Sequence, residues 1–91
     1  MKFLIESGTH EKHLIEFNFN QLLGRSVVKV DGREVFKKTR WFSEPLADRY
    51  EFEIGQFEPV RLRIEKERKH LFGSRYRVYL NNRLTQFYQG V

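Results

Sequence analysis

The sequence predicts an all-β domain, an antiparallel β-sandwich or flattened barrel of about eight short strands. Three observations predict it. Val27-Val28-Lys29-Val30 and Arg33-Glu34-Val35-Phe36 flank Asp31-Gly32, the strongest short-range signal for a two-residue hairpin. Tyr50, Phe52 and Ile54 alternate cleanly with Arg49, Glu51 and Glu53, the period of a half-buried strand. Runs of this kind recur at roughly 8–12-residue spacing along the whole chain.

Each element follows from its own residues. Phe3-Leu4-Ile5 is a short first strand stopped by Ser7-Gly8-Thr9. In Lys12 to Phe19 the period of two puts His13, Ile15, Phe17 and Phe19 on one face, with Glu16 and Asn18 outward. Arg25 opens the third strand. A type I′ turn needs positive φ at both central residues, which Asp31-Gly32 accepts. That turn sets Val30 against Arg33, Lys29 against Glu34, Val28 against Val35 and Val27 against Phe36. Lys37 to Phe42 continues or bends the fourth strand until Ser43-Glu44-Pro45 breaks it.

Asp48 to Ile54 is the fifth strand, closed by Gly55. Pro59 precedes the sixth, where Val60, Leu62 and Ile64 point in and Arg61, Arg63 and Glu65 out. Residues 66–74 read as a polar connection, and a helix over 60–72 is the main competing assignment. Tyr76, Val78 and Leu80 form the next inward set. Asn81-Asn82 supplies a second tight turn, since Asn tolerates the left-handed region, and Arg83 to Tyr88 returns. Alternation alone does not separate a sandwich from a barrel. No internal repeat or domain boundary is evident, so residues 1–91 are read as a single domain.

Ninety-one residues can bury roughly 60–65% of the unfolded surface, enough for one core. Nine Phe and four Tyr against one Met make that core aromatic and β-branched. The absence of cysteine rules out a disulfide framework and a Cys-ligated zinc site, and fits a reducing, cytoplasmic setting. No apolar run exceeds three residues, too short for a transmembrane helix. The start, Met1-Lys2-Phe3-Leu4-Ile5-Glu6, does not read as a signal peptide.

Gly24-Arg25-Ser26-Val27-Val28-Lys29-Val30-Asp31-Gly32-Arg33-Glu34, preceded by His13-Leu14-Ile15-Glu16-Phe17, resembles one repeat of the Fas apoptotic inhibitory molecule family. The similarity continues through Trp41-Phe42, Tyr50-Glu51-Phe52-Glu53-Ile54-Gly55, Leu62-Arg63-Ile64, Gly73 and Tyr76 to Leu84, covering about residues 12–88. The resemblance implies an antiparallel β-sandwich without a catalytic or metal site, acting through protein contacts. The animal proteins are small cytosolic factors linked to death-receptor signalling and protection from aggregation. This chain departs from them in holding one repeat where they carry two in tandem.

The residues themselves offer little chemistry. His10 and His13 fall on opposite faces of a strand and have no third ligand nearby, so no metal is expected. No nucleophile motif and no phosphate-binding Gly-rich loop is present, and neither an enzyme nor a cofactor is expected. Two surfaces stand out. Val27 and Phe36 lie away from the Val28, Val30 and Val35 face, and Tyr79 and Leu84 pair outward, so both hairpins carry hydrophobes on two sides. A curled sheet, or cover from Trp41 and Phe42, would hide them. Alternatively Val27, Phe36, Trp41, Phe42, Tyr79 and Leu84 form a docking patch for a protein partner or a second copy in a homodimer.

The second surface is a basic face. Setting Ile64 opposite Tyr76 and Leu62 opposite Val78 places Glu65 against Arg75 and Arg63 against Arg77. Arg61, Arg63, Arg75 and Arg77, with Lys66, Arg68 and Lys69 beside them, would then receive nucleic acid or another polyanion, with Tyr79 and Tyr88 facing outward alongside. The net charge of +5 permits this. Glu51, Glu53 or Glu58 lying alongside would neutralise it, which the mixed charge pattern favours. A small barrel holding an apolar ligand is a third reading, without residue-level support. The preferred function is a non-enzymatic protein-interaction domain, and the alternative is a nucleic-acid or polyanion binder.

Overall fold

The computed structural model describes residues 1–20, 23–39, 47–68 and 73–90. These form eight strands: β1 (Lys2–Ser7), β2 (His13–Asn20), β3 (Arg25–Val30), β4 (Arg33–Thr39), β5 (Ala47–Ile54), β6 (Val60–Arg68), β7 (Ser74–Leu80) and β8 (Arg83–Gly90). No helix occurs among the described residues, and none is long and apolar enough to cross a membrane. The chain divides into two compact units, residues 1–44 and 45–90. Each holds one open four-stranded antiparallel meander, in the order β1-β2-β3-β4 and β5-β6-β7-β8. The expected all-β antiparallel class is what the chain adopts, as two separate sheets in which neither closes into a barrel.

In the first unit the alternation buries Phe3, Ile5, Ile15, Phe17, Phe19 and Val28 on one face. Phe3 stands opposite Phe17 with their rings stacked at 5.0 Å, and Phe17 opposite Val28. In the second unit Tyr50, Ile54, Val60, Leu62, Ile64, Tyr76 and Val78 are buried in the same way. The expected inward sets of β2, β5, β6 and β7 are thus the buried ones, with His13, Phe52 and Leu80 half-covered.

The two units repeat one design, which the sequence does not display by eye. The cross-strand pair Phe3–Phe17 is matched by Tyr50–Ile64, and Ile5–Ile15 by Phe52–Leu62. Both final hairpins turn on two positive-φ residues, Asp31-Gly32 (52° and 80°) and Asn81-Asn82 (51° and 65°). In each, the first turn residue is tied to the strand behind it by a reciprocal pair of bonds. Asp31 N donates to the Leu14 carbonyl at 2.8 Å, and Asp31 Oδ1 accepts from Leu14 N at 2.8 Å. Asn81 N donates to the Arg61 carbonyl at 2.9 Å, and Asn81 Oδ1 accepts from Arg61 N at 3.0 Å. The aspartate or asparagine thereby carries the ladder round the corner, where a bare turn would leave it open.

Three register expectations are corrected. Val30–Arg33 and Lys29–Glu34 pair as expected, but a β-bulge at Val35 then sets Val28 against Phe36 and Val27 against Lys37. The inserted residue turns the half-buried Phe36 onto the face of Val28 and moves Lys37 outward. β8 carries the equivalent bulge at Thr85, so Tyr88 pairs with the buried Tyr76 instead of facing outward with Tyr79. The sixth strand also runs further than expected, to Arg68, with no helix over the described part of 60–72. Its pairing with β7 is two residues out from the expected alignment: Ile64 faces Val78 and Leu62 faces Leu80. A slip of two leaves every side chain on its own face. It also replaces the Arg63–Arg77 clash with Glu65–Arg77, Glu67–Arg75 and Arg63–Tyr79.

Candidate interaction surfaces

The outer face of the second sheet holds the four arginines singled out by the sequence, and the structure interleaves them with carboxylates. Arg61 lies 3.0 Å from Glu51, which also receives Arg49 at 3.0 Å. Arg63 Nε lies 3.1 Å from Glu65, too far off line for a hydrogen bond, and its Nη1 donates to Asn82 Oδ1 at 3.0 Å. Arg75 and Arg77 both approach Glu67, at 3.6 and 4.0 Å. The strip is a checkerboard. Exposed pairs of this kind add little stability, about 0–1 kcal/mol each, but they consume the charge that a polyanion would need. Lys66 does not join them: it is 3% exposed, on the buried face opposite Asp48 and Tyr76.

Beyond the checkerboard the same face becomes apolar. The Arg63 guanidinium covers the Tyr79 ring at 4.1 Å from its centroid. Tyr79 stands directly opposite Leu84, as expected, and Phe87 pairs with Arg77 on the same face. Leu84 is 54% and Phe87 52% exposed. Phe87 was not singled out from the sequence. Only the Thr85 bulge turns it onto the face of Tyr79 and Leu84, and no local signal announces that bulge.

Val27 and Phe36 belong to the first sheet and do not share one with Tyr79 and Leu84. Val27 is half-buried on the outer face of the first sheet, and Phe36 lies on its other face. Trp41 and Phe42 lie outside the described residues. The first sheet instead exposes Leu4 and Leu14, diagonal neighbours framed by Glu6 and Glu16.

The first hairpin carries an ionic clamp that the sequence reading did not find. His13 Nδ1 meets Asp31 Oδ2 at 2.5 Å and His13 Nε2 meets Glu11 Oε2 at 2.7 Å. Both ring nitrogens face carboxylates, so the doubly protonated imidazolium satisfies both contacts. The hydrogen bond to Asp31, then that to Glu11, raises the His13 pKa above its ordinary 6.5. The His13 contact, then the Leu14 amide, lowers that of Asp31 below 3.8. Both nitrogens are committed, and among the described residues no group of three His, Asp, Glu or Cys side chains is arranged to hold a metal ion.

Comparison with known proteins adds one positive result. No curated protein and no solved structure matches the chain significantly. The family model of the Fas apoptotic inhibitory molecule (FAIM1) matches residues 7–90, a span that takes in β2 to β8 and both bulged hairpins. The chain belongs to the Fas apoptotic inhibitory molecule family.

Proposed function

We propose that this domain is a non-catalytic protein-interaction module working in the cytoplasm, and that it docks through the outer face of its second sheet at Tyr79, Leu84 and Phe87. One observation carries the reading: two large apolar side chains, each more than half exposed, sit beside Tyr79 on one face of an edge strand. Grouped apolar exposure of this kind is what interaction surfaces show, and Tyr is enriched at their centres. The neighbouring arginines and glutamates supply a polar rim that is already internally paired. The absence of cysteine supports a reducing location.

The test immobilises the wild-type chain beside a Leu84→Glu/Phe87→Glu variant and challenges both with nuclease-treated cell extract. Expected is a discrete protein set, or the chain itself, retained at high salt by the wild type and lost by the variant. The reading fails if the wild type retains no protein. It also fails if only nucleic acid is held, with an affinity that falls with salt by about one phosphate's slope less for each of Arg61, Arg63, Arg75 or Arg77 replaced.

A further inference from the structure

The edge strands of the two units differ where edges are normally protected. β4 and β8 occupy the same place in their meanders, follow the same turn and carry the same bulge. Along β4 run Arg33, Glu34, Lys37 and Lys38. Charges on an edge strand, lysine above all, discourage pairing with another chain. β1 carries Lys2 and Glu6, and β5 carries Asp48, Arg49, Glu51 and Glu53. In β8 the only charge is Arg83 at the turn, and Leu84-Thr85-Gln86-Phe87-Tyr88-Gln89-Gly90 is uncharged. Residues 83–87 are exposed throughout, on both faces of the strand. In a chain of net charge +5, the neutral edge is the exception.

We propose that β8 is a homotypic docking edge, pairing antiparallel with β8 of a second copy to join two second sheets into one. This deepens the reading of the domain as an interaction module and rests on it. The occupant is argued from the strand's complementarity to itself. A symmetric dimer uses the same patch twice, so that residue i meets j and j meets i. Each residue keeps its face only if the axis passes through a residue of the strand. With the axis at Phe87, that ring meets its own copy on the outer face, Gln86 stands opposite Tyr88, and Thr85 opposite Gln89. No charge meets a charge in this register. Gln86 and Tyr88 are already chemically matched, since within one strand the Tyr88 hydroxyl donates to Gln86 Oε1 at 2.7 Å. Across the axis the same donor and acceptor recur twice. Two copies of the Tyr79, Leu84 and Phe87 surface then lie side by side.

The chain has no cysteine, so a single one reports directly on the axis. Facing residues of an antiparallel pair have Cα atoms about 4.5–5.5 Å apart, within disulfide reach. Phe87→Cys is expected to oxidise to a covalent dimer much faster than Val35→Cys, a comparably exposed position on the charged edge β4. Sedimentation equilibrium of the wild type is expected to show a dimer that survives high salt. Phe87→Lys, which sets two ammonium groups against each other at an exposed site, should weaken it about tenfold or more while the β-sheet circular dichroism is unchanged. A wild type that stays monomeric at every concentration overturns the homotypic edge without touching docking of another protein on the same face. Equal cross-linking of the two cysteine variants, or association that Phe87→Lys leaves intact, also overturns it. So does growth into open-ended fibres instead of a closed dimer.

Discussion

The β3–β4 and β7–β8 hairpins use one backbone plan with two different chemistries. Both turn on positive-φ pairs, both tie the first turn residue to the strand behind, and both bulge at the same step. In the first, the turn residue is an aspartate whose second oxygen holds His13, itself held by Glu11. In the second it is an asparagine, with Asn82 receiving Arg63. The first hairpin's anchor therefore depends on protonation, while the second's rests on the neutral amide of Asn81. The bulges differ too. Thr85 bonds its hydroxyl to the Val78 carbonyl at 3.1 Å, a bond that Val35 in the first hairpin has no hydroxyl to make. A shared plan fixes where the chain goes, and the side chains decide what each copy responds to and what it can touch.

The largest expected effects test whether the two buried faces are equally committed. Phe17→Ala and Ile64→Ala occupy corresponding positions and are fully buried in their own units. Urea unfolding should show losses of about 3–5 kcal/mol for the first and about 2–5 kcal/mol for the second. A loss below about 1 kcal/mol at either site would mean that its sheet face is not packed as described.

The turn glycine comes next. Gly32 has φ of +80°, and a Cβ added there would meet no atom within 4 Å. Gly32→Ala should therefore show the conformational penalty alone, about 1–2 kcal/mol. Gly32→Asn, which copies Asn82, should cost distinctly less. Equal costs for Ala and Asn would show that the turn is not of the kind described.

Exchanging the turn chemistry sharpens the comparison through pH. His13 has a raised pKa, so its contribution is whole below its unfolded value of about 6.5 and is lost as pH rises through the higher folded value. Asp31 has a lowered pKa, so its contribution is whole above about 3.8 and is lost as pH falls through the lower folded value. The clamp is at full strength between these limits, in mildly acidic solution. On passing from there to alkaline solution, the wild type should lose more thermal stability than Asp31→Asn or His13→Gln. An identical pH profile for all three proteins would remove the clamp from the account.

The smallest effects lie at the second hairpin's side chains. Thr85→Val should cost about 1 kcal/mol through the lost hydroxyl bond. Arg63→Ala should cost about 0.5–1 kcal/mol through the uncovered Tyr79 ring. Chemical denaturation resolves both against Arg75→Ala, whose ion pair at 3.6 Å should be worth less.

Much of the fold was legible residue by residue, and the candidate surface only in part. The tight turns could be read because positive φ is a local steric demand that Asp-Gly and Asn-Asn meet. The inward sets could be read because the side-chain period of a strand is fixed at two. Leu84 and Tyr79 were found as an outward pair because they lie one step from a turn, before any bulge intervenes. Strict alternation places Phe36 on the wrong face and turns Phe87 inward, because each lies beyond a bulge. The clamp has no local signal, because His13 and Asp31, eighteen residues apart, meet only when β2 pairs with β3.

By itself the sequence determined the all-β class, both turns, the buried faces and the uncharged stretch from Leu84 to Gly90. These depend on torsional preference, alternation and composition, which act over a few residues. Only the tertiary structure decided the bulges, the β6–β7 register, the pairing of Arg61, Arg63, Arg75 and Arg77 with glutamates, and which edge strands lie exposed. A two-residue slip or a one-residue insertion costs almost nothing in local preference. The choice falls to contacts between strands, and those exist only once the sheet has formed.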